Sequence, residues 1–168
     1  VRGESALPRL TYIEGDLELM SPSKHHETLK TLIARLLEAW AEELGIDMNG
    51  YGSWTITSKK KKRGAEPDEC YVLGEEEKPV PDFAIEVIWT SGGLDKLDVY
   101  RRLGVPELWI WQDDALSVFA LRGETYEKAA RSRFLPQVDP AVLVRFLGYK
   151  NQSQAVRDLR ALLRRKKR

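Results

Sequence analysis

The chain reads as an α/β domain with a mixed central sheet, flanking helices and an N-terminal β-hairpin. Three observations predict this. Phe83-Ala84-Ile85-Glu86-Val87-Ile88-Trp89 and Leu108-Trp109-Ile110-Trp111 carry apolar residues on both faces, as buried central strands do. The helical pattern between them predicts a strand–helix–strand crossover, which makes the two strands parallel. Alternating segments around Gly15 and Gly123 predict antiparallel hairpins at either end, so the sheet is mixed.

Each element has its own signal. Leu10 to Met20 alternates about Glu14-Gly15-Asp16, with Tyr12 and Ile13 before the turn and Leu17, Leu19 and Met20 after it. Ser21-Pro22-Ser23 supplies an N-cap and a helix-compatible proline. A helix follows to about Leu44. Its residues Leu29, Leu32, Ile33, Leu36, Leu37, Trp40 and Leu44 form one apolar stripe, and Gly45 stops it. Ile46–Met48 and Ser53–Thr57 are short strands joined through Gly50 and Gly52, and Glu66–Leu73 is another strand. Gly92-Gly93 ends the strand bearing Glu86. Leu94, Leu97, Tyr100 and Leu103 then repeat at helical spacing until Gly104. Ala115–Leu121 and Thr125–Ala129 form the second hairpin. A short helix near Ala141–Leu147 and a polar helix from Gln152 complete the chain.

The chain has 168 residues, enough for one well-buried core, so residues 1–168 are taken as a single domain with a basic C-terminal tail at 152–168. Hydrophobic residues make up 42% and charged residues 32%, the balance of a soluble globular protein. No apolar run is long enough to span a membrane. Val1 to Leu10 lacks a secretory-signal pattern. The single cysteine, Cys70, excludes an internal disulfide and any multi-cysteine zinc site, and reads as a small core residue. These features predict a cytoplasmic protein without a membrane partner. Net charge is only +1, but Lys59-Lys60-Lys61-Lys62-Arg63 and Arg164–Arg168 are unbroken basic runs. A basic run either contacts phosphates or is a solvated segment. Of the five tryptophans, Trp40, Trp89, Trp109 and Trp111 fall on apolar faces, while Trp54 has no clear place.

Glu86 carries the most information. An ionised carboxylate inside an apolar strand is costly unless a cation pairs with it. Asp68, after Pro67, lies eighteen residues earlier, and Lys96 lies ten residues later in the crossover helix. Two carboxylates and a lysine from separate elements fit a divalent-metal phosphodiesterase site. The carboxylates supply oxygen ligands, and the ammonium stabilises charge on phosphorus or helps deprotonate water. The plain alternative is a turn-opening Pro-Asp, an ion-pairing glutamate and a solvated helix lysine.

Three segments resemble a known family. They are Glu66-Pro67-Asp68, then Pro81-Asp82-Phe83-Ala84-Ile85-Glu86-Val87, then Leu94-Asp95-Lys96-Leu97-Asp98-Val99-Tyr100-Arg101-Arg102-Leu103-Gly104-Val105-Pro106-Glu107-Leu108-Trp109. The run Glu14-Gly15-Asp16-Leu17-Glu18-Leu19-Met20-Ser21-Pro22-Ser23, with His26 after it, joins them. Together they resemble the Uma-type family of putative restriction endonucleases, within the PD-(D/E)XK nuclease superfamily. The resemblance runs from about Leu10 to about Leu147 and is most specific from Tyr100 to Trp109. It implies a restriction-endonuclease-like fold, a DNA substrate, Mg²⁺ or Mn²⁺ as cofactor, and Asp68 and Glu86 as metal ligands. The superfamily's usual lysine, two residues after the acidic one, is here Ile88; the resemblance implies its migration to Lys96. Asp82 is the other candidate for the motif aspartate, but the spacing of Asp68 fits better. Glu27 matches an extra acid that many superfamily members carry on their first helix. His26 either contacts phosphate or receives a proton, or it merely caps the helix.

The function expected is therefore a metal-dependent endonuclease. Asp68 and Glu86 hold the metal, Lys96 stabilises the transition state or activates water, His26 and Glu27 assist, and Lys59–Arg63 binds DNA. A homodimer matches two-fold DNA. The alternatives are a catalytically inactive DNA-binding module and a protein-interaction module on the same fold.

Overall fold

The computed structural model describes residues 9–13, 15–20, 23–58, 63–88 and 95–166. Along the chain run β1 (Arg9–Ile13), β2 (Asp16–Met20), α1 (Lys24–Leu44), β3 (Met48–Gly50), β4 (Ile56–Ser58), β5 (Arg63–Ala65), β6 (Glu69–Leu73) and β7 (Phe83–Val87). They are followed by α2 (Lys96–Leu103), β8 (Glu107–Gln112), β9 (Ala115–Arg122), β10 (Thr125–Ala129), α3 (Pro140–Leu147) and α4 (Gln152–Lys166). The main sheet has the order β10-β9-β8-β7-β6-β3 and a smaller one the order β2-β1-β5-β4. β7 and β8 are parallel, joined through α2, and the other pairs of the main sheet are antiparallel. The mixed central sheet is thus as the sequence predicts.

Alternation along the strands builds two cores. Phe83, Ile85, Val87 and Trp109 face α1, where they meet Leu32, Ile33, Leu36, Leu37 and Trp40. Cys70, Ala84, Leu108 and Ile110 face the other way, against Val99, Tyr100 and Leu103 of α2 and Ile56 and Ala65 of the small sheet. Trp54 belongs with this second core, half-buried and 5.7 Å from the Tyr51 ring. The apolar stripe of α1 and its ends follow the sequence. Ser23 accepts the His26 N–H at 3.2 Å, and Gly45 closes the helix at φ 70°, a conformation costly for a residue with a Cβ.

Several expectations shift. The two short strands after α1 begin and end later than expected, and they separate: β3 edges the main sheet beside β6, while β4 pairs β5. β5 carries no alternating apolar signal and does not stand out in the sequence. It pairs β1, so the N-terminal hairpin is built into a four-stranded sheet. β6 begins at Glu69 and not Glu66, leaving Asp68 on the approach to the strand; Pro67 before it has no N–H to give a ladder. Glu14, Ser21, Pro22, Lys59–Lys62, Trp89, Gly92, Gly93 and Leu94 lie outside the described residues, as does the Arg63 side chain.

α4 packs against α1. Ala155, Leu159 and Leu163 recur every four residues and bury themselves against α1. Arg164 Nη2 donates to Glu43 Oε1 at 2.7 Å and Arg160 Nη1 to the same oxygen at 2.9 Å, while Arg160 also pairs with Glu42. Hydrogen bonds from Arg164 and then Arg160 hold the Glu43 carboxyl down from an ordinary 4.5 to about 2. A depressed carboxylate stabilises the fold above its unfolded value and loses that contribution as pH falls through the folded one. The melting-temperature gap between the wild-type protein and Glu43→Gln is therefore expected to be full above about pH 4.5 and to close toward pH 2. A gap that stays constant over that window would show that the arginines do not stabilise α4 through this charge.

Among the described residues, no helix is long and apolar enough to cross a membrane.

Candidate active site

Asp68 and Glu86 stand at the same end of the main sheet. The β6–β7 register pairs Glu69 with Ile85, and one further step sets Asp68 opposite Glu86. Both are buried, Asp68 at 0% exposure and Glu86 at 2%. Buried carboxylates must be compensated by donors and cations. Asp68 receives two. The Val87 N–H donates to Oδ2 at 2.7 Å, and Nε2 of His26 lies 3.2 Å from the same oxygen. The Asp68 N–H in turn donates to Ile85 O at 3.1 Å, which stitches the residue to β7 before β6 begins.

Glu86 points toward α2. Tyr100 Oη donates to Glu86 Oε1 at 2.5 Å, and Lys96 Nζ lies 3.8 Å from that oxygen. Asp95 caps α2 by accepting the Leu97 N–H at 3.0 Å, so Lys96 is the first helical residue, with its stem directed back toward the sheet end. The ammonium is shared. It donates to Thr11 Oγ1 at 3.0 Å and lies 3.4 Å from Glu18 Oε2. Thr11 and Glu18 are direct partners across the β1–β2 hairpin, so they present one face to one cation.

The first turn of α1 closes the site from the other side. His26 is buried, and its Nδ1 lies 3.4 Å from Glu27 Oε1. Glu27 Oε2 lies 3.2 Å from Lys30 Nζ, which also stands 3.7 Å from Glu69 Oε1. The succession of close polar contacts Glu69–Lys30–Glu27–His26–Asp68 thus joins α1 to β6.

The structure brings Asp68, Glu86, Lys96, His26 and Glu27 to this end of the sheet. Asp82 is held elsewhere: it precedes β7, pairs with Lys78 at 2.7 Å and accepts the Leu73 N–H at 2.7 Å, a clasp across the connection between β6 and β7. Cys70 is a core residue whose thiol is pushed up to about 12, chiefly by burial, and is therefore unreactive. Tyr100, Glu18, Thr11, Lys30 and Glu69 are contributors that the sequence does not single out. Tyr100 had a signal, since it follows Lys96 by four residues and so shares its helix face.

The family model Uma2, described as "Putative restriction endonuclease", matches residues 3–149. The chain belongs to the Uma2 family. Among solved structures, this Uma2-family chain is similar to a putative nuclease belonging to DUF820 from Anabaena variabilis ATCC 29413. The TM-score is 0.56 at 17% identity, covering 83% of this chain and 92% of that one, so the likeness is one of fold. No curated protein gives a significant match.

Proposed function

We propose that this Uma2-family chain is a divalent-metal-dependent endonuclease that hydrolyses phosphodiester bonds in DNA. The observation that carries this reading is that Asp68 and Glu86 are both buried at the same end of the main sheet, with the Lys96 ammonium 3.8 Å from Glu86 Oε1. Among the described residues, no group of three or more His, Cys, Asp or Glu side chains is placed to hold a metal. Mg²⁺, however, is commonly held by one or two carboxylates, with water and substrate phosphate completing its shell, and Asp68 and Glu86 fit that donor set. Bound there, Mg²⁺ or Mn²⁺ would acidify water and neutralise charge on the leaving oxygen.

The protein's own groups divide the remaining work. The Val87 N–H and His26 fix the Asp68 carboxylate, Tyr100 fixes Glu86, and Glu27 steadies His26 from its far side. Lys96 sets a positive charge beside Glu86, where charge would develop on the phosphoryl oxygens during attack. Supercoiled plasmid incubated with the protein and Mg²⁺ or Mn²⁺ tests the reading. Nicked or linear product that disappears with a chelator supports it; intact plasmid under every metal condition overturns it.

DNA contact is assigned to Lys59–Arg63, which follows β4. Each neutralised phosphate releases condensed counterions, so affinity falls steeply with salt. Replacing Lys60, Lys61 and Lys62 by Ala is expected to flatten a plot of log affinity against log salt by about 0.9 for each phosphate no longer neutralised. Fluorescence anisotropy with a labelled duplex reads this, and an unchanged slope assigns the run to solvent.

A further inference from the structure

Each of the two buried carboxylates has a fixing donor. For Asp68 it is a backbone N–H, that of Val87, at 2.7 Å, acting beside the His26 imidazole. Backbone of a central strand does not reorient, so the carboxylate is held wherever β7 is held. Glu86 has a longer side chain with three rotatable bonds, and its fixing donor is a side chain. Tyr100 is 0% exposed and donates at 2.5 Å to Glu86 Oε1. Phenylalanine would fill the same space in the second core without burying a hydroxyl. The hydroxyl therefore needs a reason, and its partner is the carboxylate at the sheet end.

The helix that carries Tyr100 is itself immobilised. The Gly104 N–H donates to Tyr100 O at 3.0 Å and the Val105 N–H donates to it at 3.2 Å, closing α2 one residue beyond Leu103. One turn earlier, Lys96 approaches the same Oε1 at 3.8 Å.

We propose that Tyr100 is a positioning residue that locks the Glu86 carboxylate in its metal-receiving orientation. This rests on reading Asp68 and Glu86 as metal ligands. Hydrogen-bond partners of metal-binding carboxylates typically contribute about 10- to 100-fold in metal affinity or activity. Tyr100→Phe is therefore expected to weaken Mn²⁺ binding by about 10- to 100-fold. Because the deficit lies in metal occupancy, cleavage should return toward the wild-type rate as Mn²⁺ is raised.

Tyr126→Phe is the control. Tyr126 packs against the same core and loses a comparable hydrogen bond, from its hydroxyl to Val105 O at 2.6 Å, without touching Glu86. Isothermal titration with Mn²⁺ on the wild-type, Tyr100→Phe and Tyr126→Phe proteins, with melting temperatures alongside, decides the matter. Weakened binding in Tyr100→Phe alone supports the proposal. Equal weakening in both variants, or wild-type affinity in Tyr100→Phe, overturns it and leaves the nuclease reading standing. A cleavage deficit that persists at saturating Mn²⁺ also overturns it, by placing Tyr100 in the chemical step. A wild-type protein that neither binds Mn²⁺ nor nicks plasmid removes the nuclease reading, and the positioning role with it.

Discussion

Glu86→Gln is expected to abolish metal-dependent cleavage while leaving the fold intact. Gln matches Glu in size and can still accept the Tyr100 hydrogen bond on its carbonyl oxygen, so the packing of the second core persists. What disappears is the negative charge, and a hard cation such as Mg²⁺ binds charged oxygen far better than amide oxygen. Lys96→Ala separates the roles. Both carboxylates survive in that variant, so Mn²⁺ should still bind by titration, while turnover falls by about 10²–10³, the usual consequence of removing one preorganised charge from an active site. A plasmid-nicking assay paired with the titration reads both steps. If the Lys96→Ala protein cuts at the wild-type rate, the migrated-lysine assignment is wrong and His26 and Glu27 become the next candidates. If Glu86→Gln still cuts, the site lies elsewhere.

The largest stability effect is expected far from that chemistry, at Glu107. It opens β8 with 0% exposure. Its Oε1 accepts from Trp109 Nε1 at 2.7 Å and Ser132 Oγ at 2.6 Å, and its Oε2 accepts the Arg133 N–H at 2.9 Å. One carboxylate thus ties the segment after β10 to the main sheet. Glu107→Ala strands three donors, each costing about 1–3 kcal/mol when buried without a partner. A total of about 3 kcal/mol corresponds to a melting-temperature drop of about 6–12 °C for a domain of this size. Glu107→Gln should lose less, since its carbonyl can keep the Trp109 and Ser132 bonds and only the Arg133 N–H is left facing an amide. Thermal unfolding followed by circular dichroism measures both; an Ala variant that melts with the wild-type protein would show that the segment is anchored by its apolar packing alone.

Most of the fold was legible because it is written in short-range periodicity. The stripe of α1, the doubly apolar β7 and β8 and the Gly15 and Gly123 turns each announce themselves within a dozen residues. β5 did not, because Arg63-Gly64-Ala65 has no alternation to read and exists as a strand only through its partners β1 and β4. α4 reads as polar for a similar reason: its buried Ala155, Leu159 and Leu163 stand among arginines that pair across to α1. At the candidate site, the carboxylates and Lys96 stood out as charges in or beside an apolar frame. Thr11 and Glu18 did not, because nothing local tells a hairpin which helix it will dock on. Tyr100 looked like one more member of an apolar helix face, and only its hydroxyl distinguishes it.

Lys96 donates to a residue 85 positions earlier in the chain. Its neighbours Thr11 and Glu18 come from the small sheet, and Glu86 from the large one. Interactions that close such long loops carry a high entropic cost and tend to form late in folding. A chain that has paired β7 with β8 but not yet seated its N-terminal strands therefore holds both carboxylates without a fixed ammonium. On the proposed reading, competence at this site would be a property of the finished molecule, and removing the strands β1 and β2 is expected to silence cleavage without touching any of the three charged groups themselves.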